Sequence, residues 1–262
     1  MTMCYSLGAG DIHRNLDRKA AKMAEQPKLR IGFVSGGAGS MPHYNSFLPI
    51  VPKQIELDFE GLELYGKSLY EIADKKETIV RRISDFVANR NWQGVIVTAA
   101  PTEVLNPGLY DALKKALVIP FTTALHACVA ALQAYSAQTV LLLTPFDARL
   151  NELIVDHLEK AGVKALAPQS FAELSVPKRM TPDEVFELTK KNLTEIGTVE
   201  AIYFQGAVLD PIKCLERIET ELNETVIASN PAMLWYVVSK LGLQFPISGY
   251  GRLLREWPAC EQ

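Results

Sequence analysis

The stretch that decides the fold is Val95-Ile-Val-Thr-Ala-Ala-Pro-Thr-Glu103, an apolar run that stops abruptly at small residues. A second run of this kind, Ala201-Ile-Tyr-Phe-Gln-Gly-Ala-Val-Leu209, follows later in the chain. Short runs that are apolar throughout are typical of parallel strands covered on both faces. Ligands bind beyond the carboxyl ends of such strands. The two runs therefore predict two βα units whose strand-end loops carry the functional site.

Similar apolar runs occur along the rest of the chain, and helical patterns separate them. This alternation predicts an α/β fold with one or two parallel sheets. The strand patterns span residues 29–35, 94–98, 139–143, 201–204 and 225–228, and the helical patterns span 68–89, 107–117, 124–135, 147–161, 181–196 and 211–222.

Local signals mark several boundaries in this pattern. Thr181-Pro-Asp-Glu184 predicts a helix start, with a capping hydroxyl, a first-turn proline and an acidic residue three positions after the cap. Gly162 is expected to end the preceding helix. Residues 168–180 are expected to form an exposed connection. Residues 1–27 have no long apolar core, which argues against a signal peptide or a membrane span and predicts a flexible N-terminal extension.

The composition favours a small-molecule function. The 262 residues are 48% apolar and 22% charged, with a net charge of -3, so neither nucleic acid nor an anionic membrane is expected as a partner. The four cysteines have no Cys-x-x-Cys spacing, which predicts no metal site and no disulfide framework and fits a reducing cytoplasm. Two of them, Cys128 and Cys214, lie in helical patterns and are expected to be buried and inert.

Ser35-Gly-Gly-Ala-Gly-Ser40 follows the first strand, and its backbone N–H groups could receive a carboxylate or a phosphate. The favoured interpretation is a tight turn that needs positive φ, and nucleotide binding is the weaker alternative. His43 and His126 could approach a cleft as acid or base, although a surface or capping histidine is the simpler interpretation. His13 and His157 suggest no role.

Thr102 and Glu103 lie in the first strand-end loop, where they offer a hydroxyl and a carboxyl to a ligand. An equally simple interpretation makes them an N-cap pair for the following helix.

The chain also resembles the aspartate/glutamate racemase superfamily, in particular its arylmalonate decarboxylase and maleate cis-trans isomerase branch. The resemblance is distributed over nearly all the sequence after residue 28, and no single motif carries it. The matching segments are Ile31–Val34 with the glycine loop, 95–108, Ile119-Pro-Phe-Thr-Thr123, Leu143-Thr-Pro-Phe-Asp-Ala-Arg-Leu-Asn-Glu152, Ala228-Ser-Asn-Pro-Ala232 with Trp235, and Gly249-Tyr-Gly-Arg252.

This resemblance implies two flavodoxin-like lobes related by a pseudo-twofold axis, with the active site in the cleft between them and with no cofactor or metal. Lobe 1 would comprise residues 28–120 and 225–262, and lobe 2 residues 121–224. Racemases of the superfamily use one cysteine from each lobe, the decarboxylase keeps the second as a proton donor, and the isomerase uses a cysteine as nucleophile. By resemblance these positions fall at Ala100 and Gly206, or at their neighbours Pro101 and Gln205, so both thiols are replaced.

The other site residues also follow from the resemblance. Thr102 and Tyr70 match groups that bind a carboxylate, Phe146 replaces a tyrosine, and Asn151 matches a ligand contact. Glu103 is the first choice for the missing acid, because a desolvated carboxyl can titrate near neutral pH; His43, His126 or Gln205 with a bound water are the alternatives. The expected catalytic residues are Glu103 and Thr102, and the expected substrate-binding residues are Ser35, Gly36, Tyr70, Ala100, Pro101, Phe146, Asn151, Gln205, Gly206 and Ala207.

The function expected from the resemblance is a cofactor-independent lyase or isomerase. It would decarboxylate or isomerise a small dicarboxylic or α-substituted carboxylic acid, and it would not racemise by two-thiol chemistry. The alternative is a non-catalytic protein that binds carboxylates in the same cleft. A homo-oligomer is possible by the same resemblance.

Overall fold

The computed structural model describes residues 28–39, 45, 47–168 and 180–260. Within them the strands form two four-stranded parallel sheets, which confirms the α/β prediction. The strands are β1 (Leu29–Ser35), β2 (Ile55–Gly61), β3 (Gly94–Thr98), β4 (Phe121–Thr123), β5 (Thr139–Leu143), β6 (Lys164–Leu166), β7 (Ala201–Phe204) and β8 (Thr225–Ala228).

The two sheets repeat one topology. Their strand orders are β2-β1-β3-β4 and β6-β5-β7-β8, so β3 and β7 hold equivalent central places. The five strands predicted from apolar runs coincide with β1, β3, β5, β7 and β8. The sequence pattern missed β2, which lies at a sheet edge and carries charged residues, and also β4 and β6, which are only three residues long.

Helices connect the strands, and most lie where the sequence pattern predicts them. The expected helix at 68–89 divides into a 3₁₀ turn, Leu69–Ile72, and α1, and the one at 211–222 divides into a 3₁₀ turn, Pro211–Lys213, and α7. The α-helices are α1 (Lys76–Arg90), α2 (Ala100–Val104), α3 (Leu109–Ala116), α4 (Ala124–Ala134), α5 (Ala148–Lys160), α6 (Pro182–Ile196), α7 (Leu215–Leu222), α8 (Ser229–Lys240) and α9 (Arg252–Glu256), with further 3₁₀ turns at Leu48–Ile50 and Ala207–Leu209.

Strand pairing corrects the boundaries expected between the lobes. β4 pairs with β3 in the first sheet, and β8 pairs with β7 in the second, so each expected boundary would cut a strand from its own sheet. Helix packing, unlike strand pairing, crosses between the sheets. Helix α8 follows β8 of the second sheet, yet it contacts both β3 and β4 of the first. It also packs against α4. The two helices that leave the last strand of each sheet therefore join the sheets.

The apolar core follows from this arrangement. One cluster of buried side chains includes Phe33, Ile96, Val140, Tyr203 and Trp235, and so runs through both sheets. A second cluster covers the other face of the β5–β8 sheet, under α6 and α7. Alternate residues of β7 enter different clusters, which is the expected geometry of a strand covered on both faces.

Other predictions concern ends and connections. Thr181 caps α6 in a complete capping box, and Gly162 has a φ of +81° after α5, as predicted. The expected extension at 1–27, most of the 168–180 connection, Ser40 and His43 lie outside the described residues. In the part of the chain that the structure describes, no helix is long and apolar enough to cross a membrane.

Candidate functional site

The first strand-end loop leads directly into α2, a short helix that the sequence pattern did not predict. Ala100 begins this helix and is fully buried, and Pro101 follows it in the first turn. Thr102 donates its hydroxyl to the Thr98 carbonyl oxygen at 3.2 Å and is 2% exposed. Thr102 and Glu103 thus lie inside a helix, so they are not an N-cap pair for the one that follows.

Glu103 is the most unusual side chain of this loop. It is 7% exposed, and its Oε2 atom has no hydrogen-bond partner among the described residues. Burial raises the pKa of its carboxyl to about 7, against hydrogen bonds from the Thr123 hydroxyl and the Leu125 backbone N–H, which lower it. Glu103 therefore contacts the start of α4 and exchanges protons near neutral pH.

Glu103 is surrounded by helices that follow strands of both sheets. It lines a cavity of about 330 Å³ between α2 and α3 on one side and α5 on the other. Tyr110 lies on the first side, and His157 and Lys160 lie on the second. Because α2 packs directly on α5, the first strand-end loop contributes to the interface between the sheets.

The glycine loop after β1 corrects one expectation. Gly36, Gly37 and Gly39 do not have positive φ, so a tight turn is not the reason for them. They allow close packing instead: a Cβ on Gly36 would lie 2.5 Å from Ile72 Cδ1, 2.8 Å from Tyr65 and 3.0 Å from Thr102 Oγ1. The carbonyl oxygens of Gly36 and Gly37 accept hydrogen bonds from residues after β2, and Ser35 Oγ accepts from the Gly37 N–H.

The second strand-end loop lacks an acid at its tip. Gln205 is 1% exposed and accepts a hydrogen bond from the Tyr203 hydroxyl through Oε1 at 2.5 Å. Gly206 has a φ of +111°, and its N–H donates to Ser229 Oγ at 3.4 Å. A Cβ on Gly206 would lie 2.7 Å from Pro145 Cδ. A side chain at position 206 would therefore need both an unfavourable backbone and a displaced proline.

A small cavity is lined by Gly206 and Ala207 together with Ser229 and Asn230. Its volume of about 10 Å³ is close to the least that holds one water molecule. Ser229 and Asn230 belong to the first turn of α8 and are both 5% exposed. Neither residue was predicted as a site residue from the sequence, although a Ser-Asn-Pro sequence directly after an apolar run is a signal for a polar strand end.

The loop between β5 and α5 forms the neighbouring wall, and its polar groups bond to one another. Thr144 Oγ1 donates to Asn151 Oδ1, and Asn151 Nδ2 donates to the Phe146 carbonyl oxygen at 3.1 Å. Asn151 and Phe146 are 7% and 8% exposed. The expected ligand contact at Asn151 thus holds the loop in shape through both ends of its amide.

Tyr70, the expected carboxylate ligand, bonds to the other sheet's loop. Its hydroxyl donates to Asp147 Oδ1 at 2.7 Å, and the same oxygen caps α5 by accepting from the Leu150 N–H at 3.0 Å. Arg149 lies over the Tyr70 ring, 5.1 Å from its centre. Burial and Asp147 together raise the pKa of Tyr70 to about 12, so its hydroxyl stays protonated.

His126 belongs to an aromatic group rather than to a strand-end loop. Its ring stacks on Tyr110 at 3.8 Å between centres, and its Nε2 is 2.9 Å from the Tyr236 hydroxyl. Burial lowers the pKa of His126 to about 4, so the ring is neutral near pH 7. Burial also lowers the pKa of His157, which lies within α5 as the pattern predicts.

No described cysteine lies within either strand-end loop. Cys128 and Cys214 are buried as expected, in α4 and directly before α7, and burial raises the pKa of each thiol to about 12. A thiol with so high a pKa is a poor nucleophile at pH 7. The described part of the chain contains no group of three or more His, Cys, Asp and Glu residues arranged to hold a metal ion.

Comparison with known protein families shows which family this chain belongs to. The family model described as arylmalonate decarboxylase matches residues 102–254, which is more than half of the chain. The chain belongs to the arylmalonate decarboxylase family. The match begins at Thr102 and includes the second strand-end loop and the start of α8. Curated protein sequences yielded no match.

Solved structures of this family and of maleate isomerases share the fold. A crystal structure of arylmalonate decarboxylase has a TM-score of 0.70 at 18% identity, over 87% of this chain and 99% of that one. A maleate isomerase variant from Pseudomonas putida, crystallised with maleate, has a TM-score of 0.67 at 16% identity, over 87% and 97%. A Nocardia farcinica maleate cis-trans isomerase mutant with a covalently bound succinylcysteine intermediate has a TM-score of 0.65 at 21% identity, over 87% and 98%.

Proposed function

We propose that this protein is a lyase or isomerase acting on a small carboxylic acid, and that Glu103 exchanges a proton with the substrate's α-carbon. The observation that carries the proposal is the Glu103 carboxyl: buried, with an oxygen that has no partner and a pKa of about 7, three residues after Ala100. Groups with these properties are typical of catalytic acids and bases. Family membership and the decarboxylase and isomerase neighbours support it.

Decarboxylation fits this group better than isomerisation through a nucleophile. The bond between the α-carbon and one carboxylate would break, CO₂ would leave, and the electron pair would move onto the remaining carboxylate to form an enediolate. Neutral Glu103 would then protonate the α-carbon and recover its own proton from water. The Thr102 hydroxyl donates to the Thr98 carbonyl oxygen in this structure, and it would turn from that oxygen to donate to the enediolate when substrate binds. This chemistry uses no cofactor and no thiol, which agrees with a first tip made of Ala99, Ala100 and Pro101.

A substrate panel in deuterated water tests the proposal. Phenylmalonate, alkylmalonates and maleate would be followed by NMR for loss of substrate, for isomerisation and for deuterium at the α-carbon. We expect turnover of at least one acid, and a loss of on the order of a hundredfold or more in kcat for Glu103→Gln, which keeps the shape but cannot deliver the proton. Glu159→Gln, on the exposed face of α5, is the matched control. Full activity in Glu103→Gln would contradict the proposal.

A second candidate is a carboxylate-binding protein without catalysis. The observation in its favour is that Glu103 already interacts with Thr123 and Leu125 at the start of α4, which gives this carboxyl a structural task. Such a protein would be stabilised against heat by the same acids without consuming them. Turnover of any acid in the panel decides against this candidate.

A further inference from the structure

We propose that Gln205 presents its side-chain N–H₂ group to a substrate carboxylate, and that Tyr203 is the positioning residue that fixes this orientation. This inference rests on the proposed function, because it assigns the carboxylate donor at the second loop of the same site. Gln205 stands directly after β7, and Tyr203 is two residues earlier in that strand.

The hydrogen-bond distance fixes which end of the Gln205 amide faces Tyr203. The Tyr203 hydroxyl lies 2.5 Å from the amide atom that it meets. This length falls in the range of O–H···O bonds and below the range of N–H···O bonds. The oxygen Oε1 is therefore the atom that faces Tyr203, and Nε2 is turned away from it.

Tyr203 is held in a buried position beside Cys128. A tyrosine hydroxyl has one hydrogen, and Tyr203 gives this hydrogen to Gln205. Burial and the nearby Cys128 thiol, from α4, raise the pKa of Tyr203 well above its usual value, so the hydroxyl keeps this hydrogen. Both residues are fully buried, so water does not compete for the bond to Gln205.

The Nε2 group of Gln205 is left with unused hydrogens. Among the described residues it has no hydrogen-bond partner, and it is not one of the enclosed side-chain atoms that lack a partner. This end of the amide therefore reaches accessible space, although the residue as a whole is 1% exposed. An anion bound there would accept charge-assisted hydrogen bonds from it. Gly206 follows without a side chain, so nothing at position 206 covers this donor. An N–H₂ donor held in this way accepts no proton, which assigns Gln205 to binding and not to acid–base work.

Binding measurements on matched variants test the inference. The probes are phenylmalonate and maleate, and dimethyl phenylmalonate is the uncharged control. The dissociation constant of each is measured by calorimetry at a temperature low enough that no turnover occurs during the titration. Gln205→Met keeps the length and removes the donor, and Gln205→Glu replaces the donor with oxygens. Both are expected to weaken binding of the acids by about tenfold or more, without changing binding of the diester. Gln133→Glu, exposed on α4, controls for the added charge.

The role of Tyr203 is read from a double-mutant comparison. Tyr203→Phe keeps the packing of the ring and is expected to weaken acid binding several-fold when Gln205 is present, and not at all in the Gln205→Met background. Equal weakening in both backgrounds would overturn the positioning role. Unchanged acid binding in Gln205→Met, or no binding of either acid to the wild type, would overturn the donor role. Binding that depends on Gln205 without turnover would support this inference and contradict the proposed catalysis.

Discussion

The two strand-end loops occupy equivalent places in matching sheets, yet they are chemically different. The β3 loop carries a hydroxyl and a titratable carboxyl, Thr102 and Glu103, on a helix that starts at once. The β7 loop carries an amide and a glycine, Gln205 and Gly206, and Pro145 occupies the space where a side chain at 206 would lie. A repeated topology therefore does not require a repeated chemistry.

The difference has a consequence for any reaction at the α-carbon. Inversion of configuration needs an acid or base on each side of the carbon, whereas protonation from one side needs a single acid. The first loop holds a titratable carboxyl, and the second holds the amide that we propose as a neutral donor. We therefore expect one loop to deliver the proton and the other to hold the substrate.

The pH dependence of kcat should be determined by Glu103 of the first loop and not by any group of the second loop. This is the largest effect that we expect. If neutral Glu103 is the proton donor, kcat falls about tenfold per pH unit above pH 7, where this carboxyl loses its proton. Thr123→Val removes a hydrogen bond that lowers the Glu103 pKa, so the fall should move to higher pH. Thr123→Ser keeps the hydroxyl and should leave the profile unchanged. A profile that is identical in all three proteins would assign the proton to another group.

The raised pKa of Glu103 should also be measurable without substrate, through the pH dependence of the free energy of unfolding. The pKa of Glu103 is raised from 4.5 to about 7 on folding, so the folded state holds the extra proton between these values and stability falls as pH rises through them. This penalty amounts to about 3 kcal/mol above pH 7 and is absent below pH 4.5. Glu103→Gln should therefore gain up to that amount relative to wild type between pH 5 and pH 8 in urea denaturation, whereas Glu159→Gln should not. Parallel curves for Glu103→Gln and wild type would show that the pKa of Glu103 is ordinary.

The central strands and the loops at their ends could be predicted from the sequence because buried parallel strands leave a continuous apolar run. The β3 run of five buried residues is one example. The edge strand β2 could not be recognised in this way, since its charged side chains form ion pairs such as that between Asp58 and Arg30. Helix α8 was missed because it is apolar all round and therefore has no amphipathic period.

Some site residues could likewise be predicted from the sequence and others could not. Thr102 and Glu103 could be selected because they directly follow a predicted strand end. The Tyr203 to Gln205 bond could not, since a tyrosine within an apolar strand pattern gives no sign of its hydrogen-bond partner. The bond of Tyr70 also depends on a contact between segments that are distant in sequence. Asn151 bonds within its own loop, but an apolar and polar pattern does not show which way its amide turns.

The steric block at the second loop can be measured as a difference between two glycines. Gly206→Ala must adopt a φ of +111° and also displace Pro145, whereas Gly162→Ala must adopt a φ of +81° with no neighbour within 4 Å. We expect the first substitution to cost about 3 kcal/mol and the second about 1 kcal/mol in denaturant unfolding. Equal costs would show that Pro145 moves freely, and a thiol could then be placed at position 206 without distorting the loop.

The smallest effect should come from the hydrogen bond between Tyr70 and Asp147, which links a segment of the first sheet's half to the loop after β5 of the second sheet. Tyr70→Phe removes the hydroxyl that donates to Asp147, while the ring remains under Arg149 and Asp147 still caps α5 through Leu150. The loss should therefore be about 1 kcal/mol or less in the free energy of unfolding. Tyr65→Phe, on the glycine-loop side, is the control, because no hydrogen bond of its hydroxyl is found among the described residues. If Tyr70→Phe also left substrate affinity unchanged, the Tyr70 hydroxyl would be a structural link between the sheets, and the carboxylate role expected from family resemblance would be wrong.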